Sequence, residues 1–242
     1  MSISLKDNPF TLVFLNVLGQ TLENVSIPLW IGSIPGCSDP FVVFQITTLW
    51  YVTMFFLTST IAIWYQKGRI ITWADFNIYD LNDHIWIFSV GFFDALNGAL
   101  VVPASPAERT PPVITALLSS LSLAFMVPIK YKYLDWYASE EEKKEFHYKA
   151  PNTQSENFYL CVLFSVLTVY MVLYPKIAQG DGINAEVYWW LIFWIGMIAG
   201  SFYNVQQGRF FKKHHYNKFL QYVIYLTWET FYLMICAWHS RS

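Results

Sequence analysis

Residues 41–65 read FVVFQITTLWYVTMFFLTSTIAIWY, a run of 25 residues without a charge. A bilayer hydrocarbon core roughly 30 Å thick takes about 20 residues of helix, within a range of about 17–25. The run therefore has the length and apolarity of a membrane span. The pattern recurs on both sides of it. Segments 112–129, 158–174 and 187–208 are also uncharged, while 10–32, 85–103 and 219–238 each hold one acid: Glu23, Asp94 and Glu229. Helices are the expected element, because lipid cannot satisfy free backbone N–H and C=O groups. The expected fold is all-α: a polytopic transmembrane helix bundle of about seven spans in a single membrane domain over residues 1–242. The first span is the least regular, since Asn16, Gln20, Glu23 and Asn24 interrupt it. Without a basic start and with a broken apolar stretch, it does not read as a cleaved signal peptide.

Composition excludes several classes. Of the 242 residues, 55% are hydrophobic, 19% aromatic and 13% charged, against about 25% charged in soluble domains. The charges are concentrated between the apolar segments. A net charge of −2 offers no basic surface for a phosphate backbone, so no nucleic-acid partner is expected. Cys37, Cys161 and Cys236 have spacing suited to neither a disulfide framework nor a zinc site. Neither H-E-x-x-H, nor a P-loop, nor G-x-S-x-G occurs. No enzymatic activity, metal or cofactor is expected. The expected partners are the lipid bilayer and a small-molecule substrate.

Lysine and arginine set the expected orientation. The N-terminus has one, and the successive connections carry none, two, one, five, one and four, with one in the tail. Alternate sides total 12 and 3. The richer side, which includes the N-terminus and the 130–157 connection, is the expected cytoplasmic one. Thr110 before Pro111 and Pro112 reads as a helix cap with a proline-tolerant first turn. Pro128 should kink or end that helix. Ser139 with Glu142 reads as a capping box for a short surface helix.

The three intramembrane acids are the main chemical signal. A carboxylate at a helix centre costs roughly 2.5–3.5 kcal/mol on insertion scales, so it should face the bundle interior or a water-filled cavity. Asp94 lies mid-span, with Asn97 on the same face at i, i+3. No Lys or Arg falls within the spans. A proton or a transported cation is then one candidate partner; a protonated carboxyl that only hydrogen-bonds between helices is the other reading. Glu23 and Glu229 are further proton-coupling candidates. Ser201, Asn204, Gln206 and Gln207 either line a pathway or belong to a helix emerging into water. Ser119, Ser120 and Ser122 are packing or lining residues. His214 and His215 adjoin Lys212 and Lys213 and read as a juxtamembrane basic cluster. Trp30, Trp64, Tyr65, Trp189 and Trp190 read as interfacial anchors.

FSVGFFDALNGALVV (88–102), then Glu108-Arg109-Thr110, then PPVITALLSSLSLAFMVPIKYKYL (111–134) resembles the chloroquine-resistance-transporter-like family of the drug/metabolite transporter superfamily. IGMIAGSFYNVQQGRFFKKH (195–214) resembles that family's approach to a basic loop. The resemblance implies two inverted five-helix repeats around a central cavity, with alternating access. It implies export of cationic drugs, amino acids, small peptides or thiols from an acidic vacuole or lysosome, or transport across a plastid membrane; the expected location is vacuolar, lysosomal or another endomembrane. Asp94 matches the third-helix aspartate that lines the cavity, and Arg109 and Thr110 match the residues at the following turn. The family has ten helices, so seven spans here would comprise one repeat and two helices of the second. The expected substrate-binding residues are Asp94, Asn97, Arg109, Thr110, Ser120 and Asn204, and the expected proton-coupling residues are Asp94, Glu23 and Glu229. The other classes considered are a non-transporting membrane scaffold or truncated paralogue, a seven-helix receptor and, more distantly, a membrane-embedded enzyme. A receptor places its N-terminus outside, against the charge pattern. It also has a retinal lysine or an N-P-x-x-Y stretch in its last span, and neither occurs here.

Overall fold

A computed structural model of the chain describes residues 39–106, 108–111, 185–214 and 219–239, with isolated positions at 114–119, 129 and 160–174. Among the described residues it is all-helical. The helices are α1 (Pro40–Lys67), the single turn α2 (Trp73–Phe76), α3 (Leu81–Ala104), α4 (Ala185–Lys213) and α5 (Phe219–His239). The expected spans 41–65, 85–103, 187–208 and 219–238 coincide with α1, α3, α4 and α5. Span 10–32, the connection 130–157, and all but isolated positions of 112–129 and 158–174 lie outside the described residues.

Local chemistry accounts for the ends. Asp39 Oδ1 accepts from Phe41 N–H at 2.9 Å, and Pro40 takes the first helical position of α1; an orphan donor is capped and a proline stands where no N–H is needed. Gly68 closes α1 at φ 64°, its N–H reaching Trp64 O. This left-handed position suits glycine. Asp80 caps α3 by accepting from Asp83 N–H at 2.7 Å. Helix α4 does not stop at 208 as the polar run suggested, but continues through Arg209 to Lys213. Arg209 is buried with its guanidinium carbon 4.9 Å from the Trp86 ring centroid, and the neighbouring Phe210 is fully buried. The arginine is held by an aromatic face, so the helix carries it inside the packing.

Helix α5 lies between α1 and α3, and α3 packs in turn on α4. Gln45 Nε2 donates to Ala237 O, and Ser59 and Thr227 hydroxyls meet at 2.9 Å, so α1 and α5 run antiparallel. Ser89 pairs with Gln206 while Asn97 lies on Gly200, so α3 and α4 are antiparallel too. The connection 68–80 and the α4–α5 connection, both assigned by charge to the lysine-rich side, therefore share one end of the bundle. Phe76, Tyr79, Ile87, Phe210, Ile224 and Tyr225 form the core at that end. Ala104, Leu118, Val187, Trp190 and Phe193 form it at the other. From mid-bundle to that same far end Phe44, Ala95, Val102, Leu233 and Ala237 join α1, α3 and α5.

Helices α1 and α3 are long and apolar enough to cross a membrane. Only 17% and 22% of their most apolar 18-residue stretches are buried. The core helix of a soluble protein hides most of such a stretch; here Leu49, Trp50, Leu57, Ile61 and Trp64 lie on the outside. Contact between helices is instead made through small residues. A Cβ on Gly91 would stand 2.9 Å from both Glu229 O and Leu233 N of α5. One on Gly196 would strike Val101.

The turn after α1 is held by one carboxylate. Asp75 Oδ1 and Oδ2 take the Arg69 fork at 2.7 Å each, Lys67 Nζ at 2.6 Å, and the Thr72 N–H and hydroxyl at 2.9 and 2.8 Å. Trp228 Nε1 donates to Phe76 O at 3.0 Å, and Phe56 stacks on Phe76, so the turn is docked on α5 and α1. The Arg69 guanidinium, then Lys67 and the Thr72 N–H, hold the Asp75 carboxyl far below the usual carboxylate range.

Two predictions arise here. Gly91→Ala should lower stability by about 1–3 kcal/mol through backbone overpacking. Gly208→Ala, with nothing within 4 Å of the added carbon, should be neutral or gain up to about 1 kcal/mol; thermal unfolding of both variants in detergent checks the contrast. Because the Asp75 pKa is lowered on folding, its contribution is complete above the ordinary value and lost only as pH falls through the depressed one. Amide exchange at Thr72 should therefore stay protected from neutral pH down to about 4. Asp75→Asn should exchange faster already at neutral pH, as read by hydrogen-exchange mass spectrometry.

Candidate functional site in the helix bundle

Glu229 stands midway along α5 and is only 2% exposed. It lies one turn from Tyr225 and from Leu233, on the face that α5 turns toward its neighbours. The absence of a side chain on Gly91 brings α3 against the Glu229 backbone. Helix α4 supplies the partner. Gln207 Nε2 donates to Glu229 Oε1 and Oε2 at 3.2 and 3.0 Å, and to the Tyr203 hydroxyl oxygen at 2.9 Å. An amide nitrogen has two protons, so one serves the carboxylate and the other the phenol. Through that amide the Tyr203 hydroxyl is linked to the carboxylate. All these partners are neutral. The carboxylate is thus solvated by a donor, yet among the described residues no fixed cation cancels its charge.

Asp94 lies midway along α3, half-buried, one turn beyond Gly91. It acts electrostatically on the Tyr203 hydroxyl, as Glu229 does. Asn97 continues the row: its Oδ1 packs at the Gly200 backbone, buried, with no hydrogen bond among the described residues. Ser89 Oγ donates to Gln206 Oε1 at 3.1 Å on the opposite side of Asp94. The α3–α4 seam is therefore polar over more than two turns, inside an otherwise apolar pair of helices.

The remaining expected residues fall elsewhere. Arg109 and Thr110 lie past the far end of α3, about 15 Å along the helix axis from Asp94 at 1.5 Å per residue to Ala104. The Arg109 guanidinium donates to Pro103 O at 2.5 Å and lies 4.2 Å from the Trp189 ring centroid; its carbonyl accepts from Trp190 Nε1 at 3.1 Å. Thr110 is buried, and its hydroxyl has no hydrogen bond among the described residues, so it does not make the side-chain cap expected of it. These contacts tie the α3 end to α4. Asn204 is exposed and bonds back to Gly200 O at 2.8 Å. Glu23 and Ser120 lie outside the described residues. His214 is engaged by Asp83, Nε2 to Oδ1 at 3.0 Å, beside Lys213 Nζ at 3.1 Å on the same oxygen.

Sequence reasoning did not single out Tyr203 and Gln207 as the partners of Glu229. Their i, i+4 spacing was the available signal, since it puts both on one helical face. Which acid that face meets is settled by packing alone. Comparison with family models, with curated proteins and with solved structures finds no match to this chain.

Gln207→Leu strands a buried carboxylate beside an apolar side chain and should destabilise by about 1–3 kcal/mol. Gln207→Leu combined with Glu229→Leu removes both polar groups and should recover part of that loss. A double-mutant cycle on thermal unfolding in detergent measures the coupling.

Proposed function

We propose that the chain is a multi-pass helical membrane protein of about seven spans that carries small organic solutes across an endomembrane. In this reading, transport is coupled to protons by alternating access. The observation that carries it is Glu229: a buried carboxylate at the middle of a helix, hydrogen-bonded by Gln207 and, among the described residues, paired with no cation. Intramembrane acids of this kind mark ion and substrate pathways. Charge balance at such a site comes from a mobile species, either a proton or a substrate cation. Asp94, one turn from Gly91 on α3, is the second acid of the pair. Asn97 and the polar α3–α4 seam extend the site toward a solute. The resemblance of residues 88–134 to the chloroquine-resistance-transporter-like family supports the same reading. The charge asymmetry of the connections supports a cytoplasmic N-terminus.

Purified full-length chain in proteoliposomes with an acidic lumen tests this. The panel is a cationic drug, an amino acid, a small peptide and a thiol. A pH gradient should drive flux of at least one of them. Glu229→Gln keeps the hydrogen-bonding shape and removes the titrating proton; it should cut the gradient-driven part by about 10²-fold or more, the scale on which a positioned proton-transfer group acts. Asp94→Asn should weaken it as well. Gradient-driven flux at the wild-type rate in both variants would show that neither acid couples protons. Flux no faster than in empty vesicles for all four solutes would favour the scaffold reading.

A further inference from the structure

At the end of the bundle where α1 stops and α5 begins lies a cavity of about 330 Å³. Its lining is divided by chemistry. Gln66, Lys67, His214 and Gln221 bring polar groups to it, together with Tyr79 and the Asp75 carboxylate that Lys67 and Arg69 hold, while Ile78, Leu220 and Ile224 make an apolar wall.

The charge is not balanced locally. Lys67 Nζ touches Asp75, but the same carboxylate already takes both nitrogens of the Arg69 fork and two bonds from Thr72. Two cations on one carboxylate leave a net positive charge at the cavity rim. The Lys67 ammonium has three protons, and one is used on Asp75. The side-chain amides of Gln66 and Gln221 make no hydrogen bond to any described residue. Donors with spare capacity, a surplus cation and an adjoining aliphatic wall together fit an anionic head with a hydrocarbon tail. The surroundings agree: Trp64, Tyr65 and Trp73 are exposed at this end, the residue types that settle at headgroup depth.

We propose that this cavity binds a phosphate-bearing group, with Lys67, Gln66 and Gln221 as its ligands and Ile78, Leu220 and Ile224 against its carbon. The proposal rests on this end lying at the membrane surface and not on solute transport. The phosphate source is either an anionic lipid or free phosphate, and the aliphatic wall favours the lipid.

The test uses the full chain, delipidated in an uncharged detergent and titrated by native mass spectrometry. The probes are dioctanoyl phosphatidic acid, the phosphate-free dioctanoylglycerol, and inorganic phosphate as competitor. Phosphatidic acid should bind one per chain and dioctanoylglycerol should not. Lys67→Gln and Gln221→Leu should each weaken binding by about tenfold, the scale of one lost charge-assisted hydrogen bond. Gln221→Leu leaves the Asp75 ion pairs intact, so its effect is separable from loss of fold. Phosphatidic acid displaced by inorganic phosphate identifies a free-phosphate site; phosphatidic acid that resists displacement identifies a lipid site. Either result supports the assignment. Equal binding of dioctanoylglycerol and phosphatidic acid overturns it, as does binding unchanged in both variants. Since binding is read in detergent without a gradient, its failure is distinct from failure of the uptake assay.

Discussion

Everything in the described bundle depends on how closely α3 can approach its neighbours. At Gly91 the backbones of α3 and α5 stand within van der Waals contact, because no side chain separates them. Gly98 faces the Phe44 ring of α1, and Gly196 and Gly200 accept Val101 and Asn97 from the opposite side. Lipid tails are as apolar as leucine, so a membrane bundle gains little from hiding aliphatic side chains. Close approach and interhelical hydrogen bonds do that work instead. The distribution of side chains fits: Leu49, Trp50, Leu57, Ile61 and Trp64 of α1 lie outward, and the polar Ser59 and Thr48 lie inward beside Val43, Phe44 and Ile63.

The same close packing creates the polar site. With α3 against the backbone of Glu229, α4 is near enough for Gln207 to reach the carboxylate, and Tyr203 follows one turn away. A carboxylate without these donors would be an isolated buried charge. With them it is hydrogen-bonded but not neutralised. That difference separates a structural ion pair from a group able to exchange a proton or a cation. Asp75 and Asp83 at the bundle end are the counterexample, since each is bound by a neighbouring basic residue.

Those end clusters also carry α3 and α4 beyond the apolar runs 85–103 and 187–208. Asp83 enters α3, where Lys213 and His214 meet it, and Arg209 enters α4, where Trp86 covers it. A charged side chain continues a helix where it finds a partner across the bundle. Helix α1 ends at Lys67 instead, because the left-handed turn at Gly68 closes it.

The sequence by itself determined the helices and the chemistry on offer. Uncharged runs long enough to cross a bilayer, the Asp39-Pro40 start, Gly68 and the Asp80 cap are local, and local steric and hydrogen-bonding rules act on them directly. The mid-span acids Asp94 and Glu229 stood out because charge in an apolar run is costly wherever the helix packs. Only the tertiary structure decided who meets whom: that Glu229 finds Gln207 and, through it, Tyr203, and that Arg109 and Thr110 lie at the far end of α3. Helical periodicity gives the face of a residue but not the neighbour opposite it. That neighbour depends on helix order and register, which small residues far apart in the chain set together.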